Sequence, residues 1–264
     1  MKEKVEGYGF DVAYTFDVIK SHWNGFAAKF NNPKWVIGIS GGKDSTICAG
    51  LAAAIHGKEN VIGVMMPCGD QKDISDSEEV IKILGINRCV ANIGKAYEEI
   101  IDEVFFGCTG VISDDTKINL PPRLRSAVLY AVAQSCGGIV VNTSNLTEDY
   151  LGYCTLYGDT NGSYAPIHNL TVTEVIELGK FLNLPDSLIL KTPADGLQDS
   201  CDEDRLGMKY ADVDRCIRTN DYDEVVFQKA KAKFDANRFK LDMIRLPGPV
   251  FYYHDNFKQY FSYK

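Results

Sequence analysis

The sequence has no Cys-x-x-Cys pair. Its eight cysteines, Cys48, Cys68, Cys89, Cys108, Cys136, Cys154, Cys201 and Cys216, are scattered along 264 residues. That excludes the common zinc and iron–sulfur ligand spacings and leaves reduced thiols with no assigned chemistry. No apolar run approaches the roughly 18 residues that a membrane-spanning helix needs, and the acidic, mixed start lacks a secretion-signal pattern. A cytoplasmic protein with no membrane partner is expected. Positive charge is also scarce: 28 Lys and Arg stand against 36 Asp and Glu, a formal charge of −8. A general nucleic-acid binder relies on the opposite balance, so no nucleic acid partner is expected. Low-complexity segments are absent. With 45% hydrophobic and 24% charged residues the composition is that of an ordinary globular protein, and a single domain over 1–264 is expected.

Two phosphate loops are missing as well, since neither Gly-x-x-x-x-Gly-Lys-Ser/Thr nor Gly-x-Gly-x-x-Gly occurs. In their place stands Ser40-Gly41-Gly42-Lys43-Asp44-Ser45-Thr46. Residues 35–39, before it, are short, apolar and β-branched, and residues 47–54, after it, read as helix. A helix that starts on a glycine turn aims unpaired N–H groups and the positive end of its dipole at whatever sits on the turn, which favours a phosphate. The plainer reading, a βα turn with Ser45 as a helix cap, leaves Asp44 unexplained. Two unit charges about 4 Å apart at an effective dielectric of about 20 repel by roughly 4 kcal/mol. A carboxylate beside polyphosphate therefore calls for a bridging cation, and Asp44 points to Mg2+.

Along the chain, residues 12–29 carry a helical stripe of Val12, Phe16, Ile19, Trp23 and Phe26. Residues 60–66 read as a second buried strand that runs into a polar loop, 67–73. Ser75 and Glu78 have the spacing of a capping box for a helix to Leu84, with Gly85 ending it. Residues 87–93 are a third strand candidate and 94–106 a helix. Residues 107–119 look irregular, and Pro121-Pro122 opens a helix through Cys136, with Arg123 and Arg125 on its first turn. Residues 139–141 form a strand leading into a loop, 142–148. Residues 150–167, rich in Gly, Tyr and Asp, read as a binding loop rather than a structural connection. Thr171 and Glu174 cap a further helix that ends before Pro185. Residues 191–207 are long and polar. The last helix, from Glu224 to about Phe239, precedes a tail broken by Pro247-Gly248-Pro249. This alternation predicts an α/β fold, a Rossmann-like, three-layer, doubly wound and mostly parallel sheet with right-handed crossovers. Ligands of such sheets bind at the carboxyl ends of strands, near the switch in strand order. The loops after Ile39, Met66 and Val141 should therefore converge.

Ser-Gly-Gly-x-Asp-Ser resembles the loop of the ATP pyrophosphatases, which split ATP between its α and β phosphates. Further stretches narrow the match: Pro67-Cys68-Gly69-Asp70-Gln71; Asn119-x-x-x-Arg123-x-Arg125; Asn142-Thr143-x-x-x-x-Glu148, then Gly152-Tyr153 and Tyr157-Gly158-Asp159; and Asp202-Glu203-Asp204-x-x-Gly207. In this order, over most of the chain, they are similar to the ammonia-dependent NAD synthetases. The resemblance implies an adenine nucleotide alpha hydrolase-like fold, a homodimer, and ATP, deamido-NAD and ammonia as substrates. It also implies a two-step reaction, in which the nicotinate carboxylate attacks the α-phosphate of ATP and ammonia then displaces AMP from the acyl adenylate.

Residue by residue, the resemblance assigns Ser40, Gly41, Gly42, Lys43, Asp44, Ser45, Thr46, Met66, Gln71 and Thr143 to ATP. Asp44 and Glu148 would hold Mg2+, and Asp159 would lie near the incoming amine. Asn119, Arg123, Ser163 and Lys240 fall at deamido-NAD positions, and for Arg123 the cost of a cation at a helix start supports a bound anion. The chain departs from the family where Leu156 and Val172 replace lysines, Ser163 an aspartate, Phe239 a histidine, and Ala194 a Thr or Ser. Glutamine-using relatives carry an added amidase domain for which 264 residues leave no room, so free ammonia is expected to suffice. Two other readings stay open: an ATP pyrophosphatase adenylating a different acceptor, and a catalytically silent nucleotide-binding regulator.

Overall fold

Continuous burial along the central strands decides the architecture. In β1 (Lys34–Gly38) Trp35 and Ile37 belong to one apolar layer and Val36 to another. A strand that is apolar on both faces has to be covered on both. The structure is a computed structural model that describes residues 9–70, 74–190 and 202–243. Gln71, Ala194, Cys201 and the Pro247-Gly248-Pro249 break lie outside the described residues, as does most of the 191–207 stretch.

In chain order the elements are α1 (Val12–Ala27), β1, α2 (Lys43–His56), β2 (Val61–Met65), α3 (Ile74–Leu84), β3 (Asn87–Val90), α4 (Gly94–Val104), α5 (Asp114–Cys136), β4 (Gly138–Val140), α6 (Leu146–Leu151), α7 (Val172–Phe181), α8 (Asp186–Ile189), α9 (Asp202–Leu206), α10 (Tyr210–Arg218) and α11 (Glu224–Met243). One π-helical turn, Phe105–Thr109, follows α4. All pairings in the four-stranded sheet are parallel, in the order β3-β2-β1-β4. The chain builds outward from β1 to β3 and returns to the other side of β1 for β4. The switch in strand order thus lies between β1 and β4, where a crevice opens at the strands' carboxyl ends.

On one face α1, α2 and α7 bury Ile19, Ile47, Leu51 and Val175 against Trp35, Ile37 and Ile39. On the other, α5 lays Leu129 and Ala133 over Val36, Val64 and Val140. A third cluster joins α6, α7, α10 and α11 through Tyr150, Val172, Val213 and Ala230. The first three turns of α2 are buried nearly all round, as befits a helix with no polar stripe. The ring of Trp23, on α1, stacks on Tyr164 at 4.8 Å and meets Trp35 edge-on at 5.1 Å, and Trp35 stacks on His56 at 4.7 Å.

Four local expectations are corrected. Ser75 is the second residue of α3 and caps nothing; Glu78 instead pairs with Arg88. Helix α5 starts well before the prolines, because Ser113 Oγ accepts the Thr116 N–H at 3.1 Å and Asp114 and Asp115 suit the positive helix end. Pro121 and Pro122 are therefore interior, where they withdraw two N–H donors. The expected 142–148 loop becomes helical at Leu146, with Asn145 as N-cap, so Glu148 rides on a helix. Residues 152–171 are irregular, as expected of 150–167, yet Tyr164, Ala165 and Ile167 are fully buried, so this stretch is core as well as rim.

Candidate functional site

The turn after β1 is held by its own hydroxyls. Ser40 N–H donates to Ser45 Oγ at 3.3 Å, Gly42 N–H to Ser40 Oγ at 3.2 Å, and Ser45 and Thr46 hydroxyls donate to the Gly42 carbonyl at 3.1 and 2.9 Å. Gly41 has φ +79, and a Cβ there would lie 2.7 Å from Asp76 Cβ, so only glycine lets α3 approach the turn this closely. Gly42 caps α2 with no side-chain bond, leaving the helix's first N–H groups directed at the crevice.

Asp44, in the first turn of α2, accepts from Asn145 Nδ2 at 3.2 Å and from Lys43 Nζ at 2.8 Å. Asn145 is fully buried, and its Oδ1 also accepts the Glu148 N–H at 3.0 Å. One amide thus fixes the start of α6 to the Asp44 carboxylate. Burial, with the Asp44 charge adding to it, pushes the Glu148 carboxyl up to about 8, against the pull of Lys43 and Asn145. Asp159 Oδ1 accepts the Thr155 N–H at 2.8 Å, and burial raises this carboxyl to about 6.

These side chains surround a cavity of about 130 Å³ lined by Ser40, Gly42, Asp44, Ser45, Thr143, Ser144, Glu148, Asp149, Tyr153, Cys154 and Asp159. A second cavity of about 370 Å³ shares Ser40, Ser45, Thr143, Glu148, Tyr153 and Asp159 with it and extends over Gly38, Ile39, Met65, Met66, Leu129 and Val141. The loops after Ile39, Met66 and Val141 do converge. One end of the joint space is polar and acidic and the other mostly apolar, the combination that suits a nucleotide.

The profile of the NAD synthase family matches residues 16–243. The chain belongs to that family. It is 39% identical over 195 residues to an NH3-dependent NAD+ synthetase of Pyrococcus horikoshii, covering 73% of this chain and 74% of that one. The activity that comes with membership is ammonia-dependent NAD synthesis, a ligase reaction with ATP as co-substrate. Among solved structures, an NMN synthetase from Francisella tularensis superposes with a TM-score of 0.81 at 28% identity over 90% of this chain and 99% of that one. An NH3-dependent NAD synthetase from Campylobacter jejuni superposes with a TM-score of 0.70 at 24% identity over 91% of this chain and 100% of that one.

Several residues expected at the family's site stand apart from both cavities. Arg123 is exposed on the third turn of α5, where its Nε donates to the Leu156 carbonyl at 3.2 Å. The helix-start argument for an anion there falls with the corrected start of α5. Asn119 Oδ1 accepts the Thr155 hydroxyl at 2.8 Å, and Ser163 N–H donates to the Val140 carbonyl at 2.8 Å. Lys240 Nζ donates to the Gly152 and Cys154 carbonyls at 2.8 and 2.9 Å. Thr46 is buried behind the turn, and Lys43 lines neither cavity.

Other residues carry the site and were given no role from sequence. Arg125 lines the larger cavity and donates from Nε to the Met66 carbonyl at 3.0 Å. Asn142, buried, donates to the Asp159 and Asn161 carbonyls at 3.0 and 3.1 Å, tying the end of β4 to the 152–171 stretch. Asp149 lines the smaller cavity and pairs with buried His168 at 2.8 Å. Asn145 carries a signal in its spacing, since Asn-x-x-Glu is that of a capping box, and Arg125 and Asn142 fall within the motif stretches. Cys154, also on the wall, has its thiol pushed up to about 12 by burial and the nearby Asp149 charge, so it stays protonated and is no nucleophile.

For a cation, the donor set fits magnesium that arrives with phosphate. Asp44 and Glu148 converge on one wall beside the Thr143 and Ser144 side chains. Among the described residues no group of three or more His, Cys, Asp or Glu could hold an ion alone. Two carboxylates completed by phosphate oxygens and water match the octahedral preference of this ion.

Proposed function

We propose that the chain makes NAD by activating the nicotinate carboxylate of deamido-NAD with ATP, releasing pyrophosphate, and replacing AMP with ammonia. The observation that carries this reading is the meeting of Asp44 and Glu148 at an uncapped helix start, on the wall of the small polar cavity that adjoins an apolar one large enough for an adenosine. The apolar end, over Met66 and Leu129, takes the adenine ring, and the turn 40–46 takes the departing pyrophosphate on its N–H groups. Bound Mg2+ would neutralise the charge that builds on the phosphates during transfer. Asp44 and Glu148 would hold it, with Asn145 fixing their separation. Asp159, its carboxyl raised toward the working pH, suits acceptance of the proton that ammonium must lose.

The activity is read as that of one domain working as a homodimer. Phe106 and Val111 are 81% and 70% exposed, large apolar side chains suited to contact with a second copy of the chain. The described cysteines are all free thiols and the formal charge is −8, which fits cytoplasmic small-molecule chemistry with no role for nucleic acid or membrane. Among the described residues no helix is long and apolar enough to cross a membrane. The deciding assay supplies ATP, Mg2+, ammonium and deamido-NAD and scores NAD, AMP and pyrophosphate. ADP as product overturns the reading.

One observation favours a second acceptor. Likeness is greater to the NMN synthetase structure, at TM-score 0.81, than to the NAD synthetase structure, at 0.70, and Leu156 and Val172 are apolar where the resemblance expects lysines. Fewer cations suit an acceptor with fewer phosphates. On this reading the mononucleotide of nicotinate is amidated by the same chemistry to NMN. Comparison of kcat/KM for the two acceptors decides between them.

A further inference from the structure

Lys43 is the one member of the turn whose charge has no ligand to act on in the chemistry described so far. It is the first residue of α2, where the helix dipole disfavours a cation. Its side chain is only 5% exposed, and an ammonium taken that far from water needs anionic partners. Carboxylates supply them: Nζ lies 2.8 Å from Asp44 Oδ2 and 3.6 Å from Glu148 Oε1. The ammonium also stands 5.6 Å from the ring centroid of Tyr210, the first residue of α10. Asp44 and Glu148 face the smaller cavity and Lys43 does not. The ammonium therefore reaches both carboxylates from behind, on the side of α10, while their other side faces the ligand.

We propose that Lys43 is a positioning residue acting as a built-in counter-ion: it draws the Asp44–Glu148 pair together from behind and takes up part of its charge, so that free divalent cations bind poorly and the pair is reserved for a cation delivered with nucleotide. The proposal rests on the assignment of Asp44 and Glu148 to the metal. With Lys43 present the three side chains carry one net negative charge when ionised, and without it two. A free cation meets that reduced charge alone. A metal–nucleotide complex brings phosphate oxygens as further ligands and loses less. Nucleotide and ion should then enter together, and the site should not be preloaded with metal.

The test is Mn2+ binding to the full chain, read by electron paramagnetic resonance, which separates protein-bound ion from ion held by nucleotide in solution. It is run with and without an ATP analogue whose α,β-bridging oxygen is a methylene. The wild-type protein should bind Mn2+ at least about tenfold more tightly with the analogue than without it. Lys43→Met should bind Mn2+ alone at least about tenfold more tightly than wild type does, because a unit charge close to the ion has been removed, and Lys43→Arg should keep the wild-type pattern. Unchanged affinity for free Mn2+ in Lys43→Met, with loss confined to the analogue, would make Lys43 a phosphate ligand and overturn the proposal. If Lys43→Met does not fold, the wild-type titration decides, since equal Mn2+ affinity with and without analogue also overturns it. No protein-bound Mn2+ under either condition would remove the Asp44–Glu148 assignment itself.

Discussion

Asp44 and Glu148 sit in the first turns of two different helices and are tied together by Asn145 and Lys43, so they should fail as a unit. Asp44→Asn keeps size and the capacity to accept from Asn145 but removes charge. AMP formation should fall at least about 100-fold, with ATP affinity much less affected because a repulsion toward triphosphate is also lost. Glu148→Gln should behave alike, and the double variant should lose far less than the product of the two. Steady-state AMP formation across a magnesium titration checks this, and multiplicative losses would show that the two carboxylates serve different ends. The raised proton affinity of Glu148 has its own readout. An unfolded glutamate titrates near 4.3 and the folded group near 8, so between these values the folded chain keeps a proton that the unfolded chain releases. The stability this group contributes is complete below about 4.3 and is lost as the pH rises toward 8. Asp159 and Asp214, both raised to about 6, act in the same sense but lower. The melting temperature of the nucleotide-free protein should thus fall between about pH 6 and pH 8, and Glu148→Gln should flatten that fall. An undiminished slope in the variant would place its source elsewhere.

Among the elements, α6 is the one on which the site turns, and it is the least visible in the sequence. Six residues are too few to show a period, so the stretch 142–148 reads as loop although Asn145-x-x-Glu148 carries a cap signature. The strands and the buried α2 are legible because their apolar runs are bounded by glycine and charge. The start of α5 is not, because Pro121-Pro122 imitates a first turn and outweighs Ser113 with its two aspartates. The same proline pair places Arg123 on a first turn in the sequence, whereas it lies on the third turn of α5. Arg125, two residues on and therefore on the opposite side of the helix, lines the larger cavity, a difference that depends on the angle of the helix rather than on residue type. At its far end α6 stops at Gly152, φ +66, where a Cβ would lie 2.1 Å from that of Asn237. Asn237 and Lys240 of α11 bond the Leu151, Gly152 and Cys154 carbonyls there. Gly152→Ala should cost about 2 kcal/mol or more, from left-handed strain and from the lost approach of α11. Denaturant unfolding measures the cost. Turnover should drop with it, because Tyr153 and Cys154 of the cavity wall follow directly, and wild-type stability would mean that α11 is not held at this point.

For the molecule as a whole, the exposed Phe106 and Val111 make assembly measurable. Phe106→Glu should shift a homodimer toward monomer in light scattering, and an unchanged mass would put the contact on another face. The three apolar clusters also divide the protein unevenly for anyone watching it by light. Both tryptophans of the sequence lie in one of them, Trp23 on α1 and Trp35 on β1, and none lies in the layer that joins α6, α10 and α11. Intrinsic emission is therefore a gauge with a single address. It reports whether the first helix is seated on the sheet and is blind to the helices that carry Glu148 and close over it. Gly152→Ala should lose ellipticity at a lower denaturant concentration than it loses its blue-shifted emission, and a spectroscopist who followed fluorescence alone would record an intact enzyme whose active half had already come loose.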